Sequence, residues 1–234
     1  MFPLKDDIPS RRFPIVNYSL IVLNFLVFFF ELSLGRNLQL FIAHYGFVPI
    51  RFTVGLERGF PLETLFLPVL TSMFLHGGWF HIIGNMWFLY IFGDNVEDRL
   101  GHLHYLFFYI ASGFFAVFLQ YIFNPYSSIP LIGASGAIAG VLGAYMVFYP
   151  YARVLTLLVI FIFIDIVYLP AFLYLFLWFF IQFINGTTMA FLPHQGGVAW
   201  WAHIGGFSFG VVWGLIMRVF KKEEVSIIHV MRPW

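Results

Sequence analysis

The chain has 234 residues, of which 61% are hydrophobic and 10% charged, with a formal net charge of +1. Soluble domains carry roughly 25% charged residues, so there is too little charge to cover a water-facing surface, and lipid is the expected solvent. The near-neutral balance gives no basis for binding nucleic acid, and the absence of cysteine excludes disulfides, thiol nucleophiles and thiolate-bound metals.

A membrane-spanning helix needs about 20 mostly apolar residues. In chain order such stretches run over 15–34, 79–98, 103–123, 131–149, 170–184 and 198–220. No short apolar core with a small-residue cleavage site precedes the first, so it reads as a retained helix rather than a signal peptide. Trp79 opens the second stretch, and Trp200 and Trp201 open the sixth; all three read as interfacial anchors. Asp94, Glu97, Asp98 and Arg99 close the second and read as a solvated helix end. Between the fourth and fifth, apolar sequence runs from Val154 to Phe183 with Asp165 and Pro170 inside it. Pro170 is expected to start the fifth helix, leaving 154–169 as a re-entrant or interfacial segment in which Asp165 caps or anchors. The expectation is one domain over 1–234, an all-α polytopic bundle of six transmembrane helices.

Basic residues in the connections set the orientation. Lys5, Arg11, Arg12, Arg99, Arg153, Arg218, Lys221, Lys222 and Arg232 fall on the side shared by both termini. Arg36, Arg51 and Arg58 fall on the other, in one long loop. Nine against three places both termini in the cytoplasm of a cell (inner) membrane. The connections 35–78, 124–130 and 185–197 then face outward.

Polar groups inside spans are functional suspects because they are costly to bury in lipid. Four stand out: His81 and Asn85 in the second span, Ser135 in the fourth and His203 in the sixth. The three spans enter from the outer side with these residues near their starts, so all four are expected at one depth. His81 and Asn85, spaced i and i+4, share a helix face and together offer donors to an anionic oxygen. The alternative is interhelical hydrogen bonding without chemistry. Ser135 lies among Gly133, Gly136, Gly140 and Gly143, where a serine often serves only as a small residue. His203 heads a stripe continued by Gly206, Gly210 and Gly214, which would seat span six against a glycine-rich neighbour. Span four fits, and hydroxyl and imidazole would then meet as an activated nucleophile requires. The serine is not in the strand-preceded GxSxG elbow of soluble hydrolases, and the histidines lack the HExxH spacing of a zinc protease. A transporter would hold its polar groups nearer the midplane.

The blocks HGGWFHIIGNMWFLYIFGDNVEDRLG at 76–101, GASGAIAGVLGAY at 133–145 and AHIGGFSFG at 202–210 resemble the three signature blocks of rhomboid proteases. The resemblance covers nearly the whole chain. It implies a six-helix core without an appended soluble domain or seventh helix, and an intramembrane serine protease without cofactor or metal whose partners are transmembrane protein substrates and the lipid bilayer. Position by position it makes Ser135 the nucleophile and His203 the general base. His81, Asn85 and the Ser135 N–H become the oxyanion hole, and Gly133 the residue that lets backbone approach the reacting carbonyl. It also suggests 185–197, with Gly186, Pro193, Gly196 and Gly197, as a lid and span five as a lateral gate. Two positions depart from the family pattern. Ala139 stands where many members carry a tyrosine that stacks on the catalytic histidine, and no Trp-Arg pair occurs between Gly35 and Gly78. With no third carboxylate in view, the expectation is a Ser-His dyad whose imidazole is held by some other aromatic or by packing.

Overall fold

The computed structural model describes residues 1–160, 163–189 and 198–220. Helices stand at all six predicted places: α1 (Ile15–Ser33), α5 (Trp79–Leu100), α6 (His102–Phe123), α7 (Ser135–Phe148), α8 (Ala171–Met189) and α9 (Trp200–Phe220). By length and composition, α1, α6, α8 and α9 are long and apolar enough to cross a bilayer. A fifth crossing is reached if α5 is counted with the helix before it, from which it is bent by 84°. The chain is an integral membrane protein. Its outward-facing side chains agree: Phe80, Leu103, Phe107 and Val219 are all exposed, as lipid-facing residues should be.

The long connection between α1 and α5 is itself folded. It contains α2 (Leu38–Tyr45), α3 (Pro49–Glu57) and α4 (Leu62–Thr71). α4 carries Pro68 within it and ends in a 3-10 turn over Ser72–Phe74. Phe47, Phe52, Leu65 and Val69 of this region form a small core with Val117 of α6.

The structure refines the expectations for the fourth span and for the segment after it. The predicted fourth span begins at 131, but α7 begins only at Ser135. Its 14 residues rise about 21 Å, short of the ~30 Å hydrocarbon core. The stretch before it is extended, with Gly133 at φ +120°. The segment 154–169 is an antiparallel hairpin, β2 (Arg153–Ile160) and β3 (Phe163–Pro170), with Val154 opposite Leu169 and Leu158 opposite Asp165. The N-terminal strand β1 (Phe2–Lys5) adds to β2, giving the order β1-β2-β3. β-Branched residues at alternating positions favour the strand; Val154 and Thr156 are buried while Val159 is exposed. A sheet with open edges belongs in headgroups or water, not in hydrocarbon. Asp165 caps no helix: it is exposed in β3 and accepts the N–H of the adjacent Ile166.

At the acidic end of α5, Asp94, Asp98 and Arg99 are half-buried, but Glu97 is not solvated. Glu97 is 1% exposed, and its two oxygens accept the N–H groups of Val16 (2.9 Å) and Asn17 (2.7 Å) at the start of α1. Those donors have no partner within their own helix. Asn17 completes the junction. Its amide donates to Leu89 O at 3.0 Å and its carbonyl accepts the Tyr105 hydroxyl at 2.8 Å, joining α1, α5 and α6.

Candidate active site

Ser135 is the first residue of α7, so its N–H lies among the helix donors left without an intrahelical acceptor. The extended segment leading to it is fastened by the connection between α1 and α5. Leu131 and Phe47 exchange backbone bonds of 2.7 and 3.1 Å, and Gly133 N–H donates to Ser72 O at 2.9 Å. The folded connection between α1 and α5 therefore fixes the approach to the serine.

α9 lies against α7 almost backbone to backbone. A methyl on Gly206 would strike the Gly136 carbonyl, one on Gly210 the Gly140 carbonyl, and one on Gly143 the Phe207 carbonyl. This crossing brings His203 Nε2 to 2.8 Å from Ser135 Oγ. Only small residues in both helices allow that approach.

The far side of the imidazole is also occupied. His203 Nδ1 lies 2.8 Å from Gln182 Oε1 on α8. Trp178, one turn earlier on α8, lies 5.8 Å from the His203 ring centroid, and Trp200 meets the ring edge-on at 6.3 Å. The missing tyrosine position, Ala139, is a fully buried methyl.

The opposite wall is built on the turn before α5. Gly77 N–H donates to His81 Nδ1 at 3.3 Å, so a neutral His81 carries its proton on Nε2. A Cβ placed on Gly133 would lie 2.6 Å from that Nε2 and 3.6 Å from Asn85 Nδ2. Both nitrogens thus converge on the space beside Gly133, two residues from Ser135 along the chain. Asn85 gives one amide hydrogen to His76 Nε2 at 3.0 Å, which leaves the other available. His76 Nδ1 in turn donates to Phe74 O at 3.3 Å, and the backbone N–H of His76 donates to both Glu31 oxygens, at 3.3 and 3.2 Å.

The structure therefore places Ser135 with His203, and gathers His81, Asn85 and Gly133 beside them. Sequence reasoning missed Gln182, His76 and Glu31. The rule that polar residues in apolar spans are functional suspects applies equally to Gln182, which interrupts the apolar run LFLWFFIQFI, and to Glu31 near the end of α1. Of the expected lid, Pro193, Gly196 and Gly197 lie outside the described residues. Gly186 is in α8, close to Ile204 and Trp200. Among the described residues, no three acidic or histidine side chains are grouped to hold a metal.

A family model described as Rhomboid domain matches residues 64–220, about two thirds of the chain. The RHOMBOID-like protein 1 of Arabidopsis thaliana is 32% identical over 151 residues, 64% of this chain and 34% of that protein. The mitochondrial presenilin-associated rhomboid-like protein of Bos taurus is 28% identical over 186 residues, 73% of this chain and 44% of that protein. The chloroplastic Rhomboid-like protein 11 of Arabidopsis thaliana is 32% identical over 105 residues, 44% of this chain and 36% of that protein. The chain spans less than half the length of these curated relatives.

Proposed function

The chain belongs to the rhomboid family, and we propose that it is an intramembrane serine endopeptidase that cuts transmembrane proteins with Ser135 and His203. The observation that carries this reading is the 2.8 Å contact between His203 Nε2 and Ser135 Oγ. Ser135 Oγ attacks the scissile carbonyl while His203 Nε2 accepts its proton, then delivers it to the departing amine. The oxyanion forms beside Gly133 and receives hydrogen bonds from His81 Nε2, the free amide hydrogen of Asn85 and the Ser135 N–H. Water then hydrolyses the acyl-enzyme, with His203 acting as base again.

The substrate must present an unwound segment, because an intact helix shields each carbonyl with its own hydrogen bond. Ser135 begins a short helix near one end of the bundle, so the scissile bond is expected near one membrane surface. The basic-residue distribution supports a cell membrane with both termini cytoplasmic. We read residues 1–234 as one rhomboid-like domain.

The test is fluorophosphonate labelling and cleavage of a single-span substrate in proteoliposomes. Wild type is expected to be labelled at Ser135 and to cleave, whereas Ser135→Ala and His203→Ala do neither. Equal labelling of all three proteins would overturn the assignment. Retained substrate binding without labelling in the wild type would instead mark a rhomboid-like binder that does not cut.

A further inference from the structure

We propose that Gln182 is the positioning residue for His203, so that the site works as a Ser135–His203–Gln182 relay drawn from α7, α9 and α8. The inference rests on the reading of Ser135 and His203 as the reacting pair.

Gln182 Oε1 lies 2.8 Å from His203 Nδ1, and the two residues are 6% and 8% exposed. The orientation of the carboxamide follows from its second bond. Gln182 Nε2 donates to Trp178 O, one turn back in its own helix, at 3.2 Å, leaving Oε1 to face the imidazole. An oxygen there can only accept, so His203 Nδ1 carries the proton. In a neutral ring, Nε2 then bears the lone pair, and it is Nε2 that faces Ser135 Oγ. Gln182 thereby selects the one tautomer able to take the serine proton. The opposite tautomer would point an N–H at Oγ, the wrong-tautomer failure that cripples a triad when its acidic member loses its acceptor role.

A carboxamide suits this place better than a carboxylate. A buried charge carries a desolvation penalty of several kcal/mol, whereas an amide with both ends bonded is satisfied without one. It holds and orients the ring but supplies no negative charge. With Ala139 offering no ring, α8 provides both the acceptor and, through Trp178, an aromatic neighbour for the imidazole. Because Gln182 stands on α8 while serine and histidine stand on α7 and α9, the base is correctly set only while α8 is seated against α9.

The test compares Gln182→Met, which matches the side chain in length without an oxygen, with Gln182→Glu, which keeps an acceptor at the same reach. For Gln182→Met, kcat and the rate of fluorophosphonate labelling are expected to fall about tenfold or more, with KM within about twofold and an unchanged unfolding temperature. Gln182→Glu is expected to recover most of that rate. As a readout independent of turnover, ¹⁵N-histidine spectra of the wild type should show His203 protonated at Nδ1, a signal assigned by its loss in His203→Ala. Wild-type labelling rates in Gln182→Met, or His203 protonated at Nε2 in the resting wild type, would overturn the relay. If Gln182→Met does not fold, the tautomer of the wild type decides alone. A wild type unreactive at Ser135 would sink the protease reading itself, whereas equal reactivity of wild type and Gln182→Met sinks only the relay.

Discussion

Asn85 is held by its neighbours rather than free to rotate: His76 Nε2 takes one of its amide hydrogens at 3.0 Å, and in the proposed reaction the other serves the developing oxyanion. Preorganised donors of this kind act mainly on the transition state, and removing one typically costs about 10²–10³ in rate. Asn85→Ala should therefore lower kcat by about that factor with KM little changed, measured by steady-state cleavage in proteoliposomes. Gly133 is constrained twice over. Its φ of +120° is a conformation that side chains rarely adopt, and a methyl there would sit 2.6 Å from His81 Nε2. Gly133→Ala should abolish fluorophosphonate labelling at Ser135 while leaving the far α1–α5 junction intact, and wild-type labelling would contradict this.

At the scale of elements, the decisive contact is the crossing of α7 and α9. Gly210 lies two turns from His203, too far to touch the reacting groups, yet a methyl on it would collide with the Gly140 backbone. Overpacking of this sort costs typically 1–3 kcal/mol. Because backbone rather than a flexible side chain must give, Gly210→Ala should lower the unfolding temperature in detergent and also slow labelling of Ser135, as the helices separate. A second element-scale device is the grip of α5 on the start of α1. Glu97 supplies the acceptors that α1 lacks in its own sequence, since Pro14 precedes it without a side-chain cap. Loss of a cap costs about 0.5–2 kcal/mol. Glu97→Ala should destabilise by about that much and bring earlier protease cleavage near residues 11–17, read by limited proteolysis.

At the scale of the whole molecule, the N-terminal segment ties α5 to α7. Asp6 accepts hydrogen bonds from Asn95 Nδ2 at 2.9 Å and from the Tyr145 hydroxyl. Burial pushes its carboxyl up to about 7, with the nearby Asp94 and Asp7 adding to the rise and the Tyr145 hydroxyl opposing it. The native chain therefore holds this proton more tightly than the unfolded chain, whose carboxyl titrates near 3.8. The stabilising contribution is complete below about pH 4 and is lost as pH rises through about 7. Thermal unfolding in detergent should show stability falling over that window, and Asp6→Asn should flatten the dependence. Orientation is also a whole-molecule property. Because the sequence contains no cysteine, Lys5→Cys and Arg58→Cys each introduce a single thiol. An impermeant maleimide added outside should modify the second and not the first.

The membrane class, the places of the helices and four residues of the candidate site, His81, Asn85, Ser135 and His203, were legible in the sequence. These features depend on composition, local apolar length and the cost of a polar group in lipid, all of which act along the chain. The glycine stripe in α9 likewise announced a close helix contact, because only missing side chains permit one. Other features were decided by residues distant in sequence. The extended entry to Ser135 depends on backbone bonds to Phe47 and Ser72, the burial of Glu97 on the arrival of α1, and the third strand of the sheet on the N-terminal segment reaching β2. The partner of His203 belongs to the same group: a lone glutamine in an apolar helix signals a polar contact, but which ring it meets is fixed only when α8 packs on α9. Hydrogen bonds between helices are set by three-dimensional registry, and registry is not written in any one segment.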